Sequence, residues 1–368
     1  MKKNSFKSFL SLLVIAAMTV TALAGCAGGG TQTGTSANTT APSDQTIKWR
    51  AQSTEVAGTA RYECTQYFCD KIKEATGGKF EIELYAADTL YPTMNTMEAV
   101  GQGVTEAGFT SGDYQAGKEP MLKLQAYRPA DPWDDFDTAN QFFLQNEPLV
   151  EEAYKNLGVI YAATVLALPN ESFHSNKPIN SLADYKGLKV RSSGLGQELY
   201  QALGAAVVNM PMGDIYQAMK LNTIDAFEAG GYIDNFQSAL QEVVSYNIEP
   251  ALHCSAAIMV GQLLVNQSAW DSLPEDIKAA IPAVAEDARK HTYDFLTEEN
   301  QKGKQQFEDA GVENITLPDA DISQAKEIAA GTLKAYWGKS DLSDRFLDLY
   351  IKFLNDNGYE TVAKAVEK

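Results

Sequence analysis

The chain is 368 residues long and acidic, with 48 Asp and Glu against 30 Lys and Arg and a formal net charge of −18. Acidity spread along the chain without long runs excludes nucleic acid as an expected partner, and 45% hydrophobic content fits a soluble globular body. One hydrophobic core rarely serves more than about 250–300 residues, so two lobes are expected.

At the N-terminus, Lys2, Lys3 and Lys7 precede an apolar stretch from Phe9 to Ala24, followed by Gly25 and Cys26. This is the plan of a secretory signal peptide over residues 1–25. The apolar stretch falls short of the roughly 20 residues that span a bilayer, and retention as a membrane anchor is the alternative reading. Leu23-Ala24-Gly25-Cys26 resembles a bacterial lipobox, which implies cleavage before Cys26 and a lipid on that cysteine. Residues 26–45 are dominated by Gly, Ser, Thr, Ala and Asn, too polar to build a core, and read as a flexible tether. The body is therefore expected outside the cytoplasm, held to the outer face of the membrane.

The first globular pattern is β-α-β. Ile47 to Ala51 reads as a strand; Ala60, Cys64, Phe68 and Ile72 recur at helical spacing; and Thr76-Gly77-Gly78 supplies a stop. Phe80, Ile82 and Leu84 then alternate with Glu81 and Glu83, the signature of a strand with one buried face. A helix over Met94 to Val100 and a strand over Glu106 to Ser111 continue a parallel sheet. Cys64 and Cys69 read as small core residues, with a disulfide as the alternative in an oxidising compartment.

A second series follows Val159 to Leu168. Ser181 and Asp184 have capping-box spacing, Leu188 and Val190 alternate with Lys189 and Arg191, and Ser192-Ser193-Gly194 breaks the strand before a helix running to Gly204. Val207 to Met210 is the next strand, Asp214 and Gln217 open a helix with capping-box spacing, and Ile224 to Glu228 is a further strand. From Ser272 to Gly311 the pattern is helical, with Ser272 and Glu275 as its cap. Pro282 inside it predicts a kink, or a pair of shorter helices.

Open parallel sheets bind ligands beyond the carboxyl ends of their strands, which selects the candidate residues. Arg191 closes a strand, and its guanidinium suits a carboxylate through two parallel hydrogen bonds; position alone fits a surface ion pair equally. Glu228 closes another strand before Ala229-Gly230-Gly231. Its carboxylate suits ligand hydroxyls or a hard cation, and pairing with a nearby base is the alternative. Tyr114 follows the third strand and suits either a ligand or core packing. His253 lies near an expected lobe crossing. His174, His253 and His291 show no metalloprotease or nucleophile spacing, so an enzyme is not expected.

These residues sit in a longer likeness. Ser175-Asn176-Lys177-Pro178-Ile179, Gly187-Leu188-Lys189-Val190-Arg191, Leu203-Gly204-Ala205, Met210-Pro211-Met212-Gly213-Asp214 and Ile224-Asp225-Ala226 run in the order and spacing found in solute-binding proteins of TRAP (tripartite ATP-independent periplasmic) transporters. The chain resembles that DctP-like family over most of residues 46–340. The resemblance implies an α/β, two-lobed periplasmic-binding-protein-like fold with a ligand cleft and a long helix spanning both lobes. It places lobe I at 46–166 and 257–296 and lobe II at 167–256 and 297–368. It also implies that Arg191 binds the carboxylate of a small organic acid, with TRAP membrane permease subunits as partners. Gly112-Asp113-Tyr114 and Asp225-Ala226-Phe227-Glu228 look closest to members that bind 2-oxo or 2-hydroxy acids with a sodium or calcium ion. There a glutamate matching Glu228 helps hold the cation and a glutamine matching Asn170 assists, whereas this chain has asparagine at 170 and alanine at 229 where that subgroup has tryptophan. No other cofactor is implied. An ATP-driven importer or a sensor kinase is the alternative partner.

Overall fold

The computed structural model describes residues 46–255 and 257–368. The expected signal peptide, the tether and the lipidation of Cys26 lie outside the described residues. Among those described, no helix is long and apolar enough to cross a membrane.

Two sheets organise the body. In the first, β1 (Ile47–Gln52) pairs in parallel with β2 (Phe80–Tyr85) and β3 (Ala107–Thr110). The intervening helix Ala60–Ala75 starts where the Thr59 side chain accepts a hydrogen bond from the backbone N–H of Tyr62. It stops at Gly77 and Gly78, whose φ angles of 60° and 78° suit glycine. Trp49, Ala51, Phe80 and Ile82 are buried, as the alternation requires. The sheet is completed by β4 (Ile160–Leu168) and by β10 (Ile258–Val265), which lies antiparallel between β3 and β4. Buried along its whole length, β10 shows no alternation that sequence reading would detect.

The second sheet runs β11-β9-β5-β8-β6-β7. Its strands are β5 (Ser172–Ser175), β6 (Lys189–Arg191), β7 (Ala206–Val208), β8 (Ala226–Ala229), β9 (Tyr246–Glu249) and β11 (Glu313–Thr316). Strand β6 is parallel to β7 and β8, as expected, and β5 is antiparallel to β8 and β9. The capping box of Ser181 and Asp184 forms; Asp214 makes no side-chain cap.

The chain passes between sheets from β4 to β5 and from β9 to β10, and returns through one helix, Glu275–Asp309. Its 35 residues span about 50 Å. The helix continues through Pro282: Ile277, Ile281, Ala285 and Ala288 are buried on one face, and that contact outweighs the single hydrogen bond that proline removes. Ser272 does not cap it. That residue ends a short preceding helix, Gln267–Ser272, and its hydroxyl donates to the Ala269 carbonyl. Beyond β11, the helix Asp341–Asp356 packs Phe346, Tyr350 and Phe353 against Phe142 of the helix Phe136–Asn156. A segment expected in lobe II thus rests on one expected in lobe I. Cys64 and Cys69 are unpaired and buried in the first core, so they serve as packing residues.

Candidate functional site

Strands β6 and β8 are neighbours in register, with Arg191 opposite Phe227, so the strand-end residues Arg191 and Glu228 come together. Arg191 is 4% exposed and Glu228 fully buried. The guanidinium is braced before any ligand arrives: Nε and Nη2 donate to the Met210 carbonyl at 3.0 and 2.9 Å, and Nη1 donates to the Glu228 carbonyl and, at 3.3 Å, to Glu228 Oε2. One Nη2 hydrogen is left for an incoming oxygen. Glu228 Oε1 accepts from the Ser192 hydroxyl at 2.8 Å and from the Ser193 backbone N–H.

From Glu228 the network extends to both passages between the sheets. His253 Nε2 lies 3.6 Å from Glu228 Oε2 and 3.2 Å from Glu171 Oε2. Glu171 Oε1 in turn accepts from Arg61 Nη1 at 3.0 Å and the Tyr127 hydroxyl at 3.3 Å, and Arg61 Nη2 donates to Glu55 Oε1 at 3.1 Å. Glu55, Arg61, Glu171, His253, Glu228 and Arg191 thus alternate in charge, all buried. Burial alone disfavours each ion. For His253 it is outweighed by the adjacent Cys254 and then by Glu228 and Glu171, which together hold the imidazole pKa well above the ordinary histidine value. Glu171 is likewise penalised by burial, yet the His253 hydrogen bond and Arg61 hold its pKa below the usual carboxylate range. For Glu228 burial wins and the pKa is raised, against His253 and Arg191.

The cleft between these groups closes to a cavity of about 30 Å³, lined among others by Arg61, Tyr114, Tyr127, Glu171, Arg191 and Ala229. Of the residues singled out from sequence, Arg191, Glu228 and His253 form one cluster, and Tyr114 lines the same cavity. Asn170 does not join them. It is exposed and lines a larger cavity of about 710 Å³, which Glu171 also borders. The next residue, Glu171, reaches the cleft where Asn170 was expected: its carboxylate meets Arg61, Tyr127 and His253. Glu171, Arg61, Glu55 and Tyr127 escaped the sequence reading, and the buried Asp113, which accepts from the Gly194 backbone N–H at 3.3 Å, entered it only within the Gly112-Asp113-Tyr114 motif. Arg61 had one signal, its place in the first helical turn after β1.

His174 makes contacts that resemble a triad: Nε2 lies 2.8 Å from the Ser172 hydroxyl and Nδ1 2.7 Å from Asn247 Oδ1. Nε2 is also met by the Asn235 amide at 3.1 Å, and the ring stacks on Phe307 with centroids 4.6 Å apart. The ring has no exposed face and acts as a core fastener.

A two-lobed body with a braced, buried guanidinium where its cleft closes defines a solute-binding protein. Residues 52–339 match the family described as bacterial extracellular solute-binding protein, family 7, and the chain belongs to it. Among curated relatives, a monocarboxylate 2-oxoacid-binding periplasmic protein of Nostoc sp. is 28% identical over 230 residues, covering 62% of this chain and 63% of that protein. A 2,3-diketo-L-gulonate-binding periplasmic protein of Escherichia coli is 24% identical, covering 68% and 75%. A TRAP transporter solute-binding protein of Bordetella bronchiseptica, with copurified calcium and picolinate, superposes with a TM-score of 0.77 at 24% identity, covering 87% of this chain and 96% of that one. An open, ligand-free form from Rhodobacter sphaeroides scores 0.62 at 25% identity, covering 85% and 99%.

Calcium in that Bordetella protein raises the question of a cation here. Glu171, Glu228 and His253 offer atoms within 4.8 Å of one another. The donors do not fit. A hard cation needs six or more oxygen ligands, and each carboxylate oxygen of the pair already faces a protein donor, with an imidazole as the third group.

Proposed function

We propose that this chain is an extracytoplasmic receptor that captures a small organic acid by lobe closure and presents it to a TRAP membrane permease. Arg191 carries the reading: it is buried, its guanidinium is braced by Met210 and Glu228, and one N–H without a protein acceptor would serve a carboxylate. Tyr114, Arg61 and Tyr127 would contact the rest of the molecule, and Ala229 leaves room for it. The first sheet with residues 46–166 and 257–296 would form one lobe and the second sheet the other. Cys26 would carry the lipid that keeps the receptor at the membrane.

Beside the alternating set of three acids and three bases, the cavity is lined by the buried carboxyl group of Asp113, so one further negative charge is accommodated there more readily than two. A monocarboxylate is therefore favoured over a dicarboxylate. The 2-oxoacid specificity named for the Nostoc relative and the picolinate in the Bordetella protein support this choice.

A thermal-shift screen of mono- and dicarboxylates tests it, since ligand binding raises the melting temperature with the logarithm of ligand excess. Monocarboxylates should shift the wild type. Arg191→Lys, which keeps the charge and loses the planar fork, should bind at least about tenfold more weakly. No shift with any carboxylate, or an undiminished shift in the variant, refutes the clamp.

A further inference from the structure

Two buried carboxylates, Glu171 from the β4–β5 passage and Glu228 from β8, approach each other behind the cleft, and such a pair needs a positive or donating group between them. In the Bordetella protein that copurifies with calcium and picolinate, a cation is at hand for a carboxylate ligand. Here the space between the carboxylates is filled by an imidazole. His253 is fully buried, with Nε2 3.2 Å from Glu171 and 3.6 Å from Glu228.

The ring is fixed from two sides. A Cβ on Gly196 would lie 2.8 Å from the His253 Cβ, so residue 196 leaves no room behind the imidazole's own stem. The Tyr127 ring flanks it with centroids 6.5 Å apart. The carboxylate oxygens turned away from His253 are taken as well, Glu171 Oε1 by Arg61 and Tyr127 and Glu228 Oε1 by Ser192 and Ser193. A calcium ion at about 2.3–2.6 Å from its oxygens has neither a place nor free ligands.

We infer that His253 stands where a bridging cation would, so that this receptor captures its acid without a metal, and that removing the ring frees Glu171 Oε2, and room beside Glu228 Oε2, for a cation that takes its remaining ligands from water. The inference rests on the cleft around Arg191 being the ligand site. Its test uses calcium alone, so an error about the acid does not affect the result.

Calorimetric titration of calcium into metal-stripped protein should give no saturable binding for the wild type. His253→Ala should bind one calcium at least tenfold more tightly, and adding Glu228→Gln to that variant should abolish the gain. His253→Ser, with a small polar replacement, serves as the second variant if alanine at this buried site prevents folding. Saturable calcium binding to the wild type that Glu228→Gln abolishes overturns the inference. So does a folded His253 variant that binds calcium no better than the wild type.

Discussion

At the scale of single residues the cleft is costly, because six ionisable groups are taken out of water together. Each is tolerable because the next carries the opposite charge, and truncating one leaves its neighbour buried and unpaired. His174 shows the opposite solution, a buried titratable group kept neutral. Asn235 donates to Nε2, so Nδ1 carries the proton and donates to Asn247 Oδ1. Burial, against the Asn247 bond, pulls its pKa from an ordinary 6.5 to about 4. The unfolded ring takes up a proton near pH 6.5 and the folded ring only near 4. The stability His174 contributes is therefore complete above pH 6.5 and falls as pH falls through that window, by about 3 kcal/mol. The expected observation is that the ring C–H resonances of His174 stay unshifted from pH 8 to 5 while exposed histidine peptides titrate; a midpoint near 6.5 would contradict the neutral assignment. Sequence made Arg191 and Glu228 legible because strand ends are local features. Glu171 and Arg61 were not, since their contact joins residues 110 positions apart and neither lies in a motif.

Elements were legible where burial is one-sided. The alternation of β2 and the helical spacing of Ala60, Cys64, Phe68 and Ile72 follow from a wet face and a dry face. Strand β10 is dry on both and inserts antiparallel from far along the chain, so its sequence carries no period. The long helix was legible in extent, and its start and continuity were decided by packing. Gly303 shows how closely it is packed: a Cβ there would lie 2.4 Å from the backbone nitrogen of Ile233, in the helix Tyr232–Gln237. Backbone cannot move aside as a rotamer can, so Gly303→Ala should cost about 1–3 kcal/mol in overpacking, against the ~1 kcal/mol that alanine gains in helix propensity. Gly331, in the helix Asp319–Leu333, has nothing within 4 Å of its added Cβ, so Gly331→Ala should stabilise by about 0.5–1 kcal/mol. Thermal melts of the two variants should move in opposite directions, and a Gly303→Ala protein as stable as the wild type would mean that the two helices do not touch.

For the whole molecule the decisive quantity is how far the halves must part. A cavity of about 30 Å³ has room for roughly one water and no organic acid, so access to Arg191 requires opening. The halves meet where the turn Gly112–Gln115 and Tyr127 of the first face the segment after β6 of the second. Gly194 sits at that junction with φ of 53°, its N–H donating to Asp113 across the cleft, and a Cβ there would lie 2.8 Å from the Tyr127 Cβ. Alanine at 194 would add the strain of a left-handed backbone and a methyl group wedged between the halves. One core cluster runs through both halves, joining Met121 and Phe142 to Phe173 and Tyr200, so the wedge bears on packing around Tyr127 as well as on closure. Because binding and closure are linked, a destabilised closed form weakens capture by the same factor. At about 1–3 kcal/mol of overpacking, Gly194→Ala should bind its acid roughly 5- to 150-fold more weakly, and small-angle scattering should report a larger radius of gyration. If the variant scatters like the wild type and binds equally well, the junction at Gly194 does not control closure. The binding energy would then have to be sought in Arg191 alone.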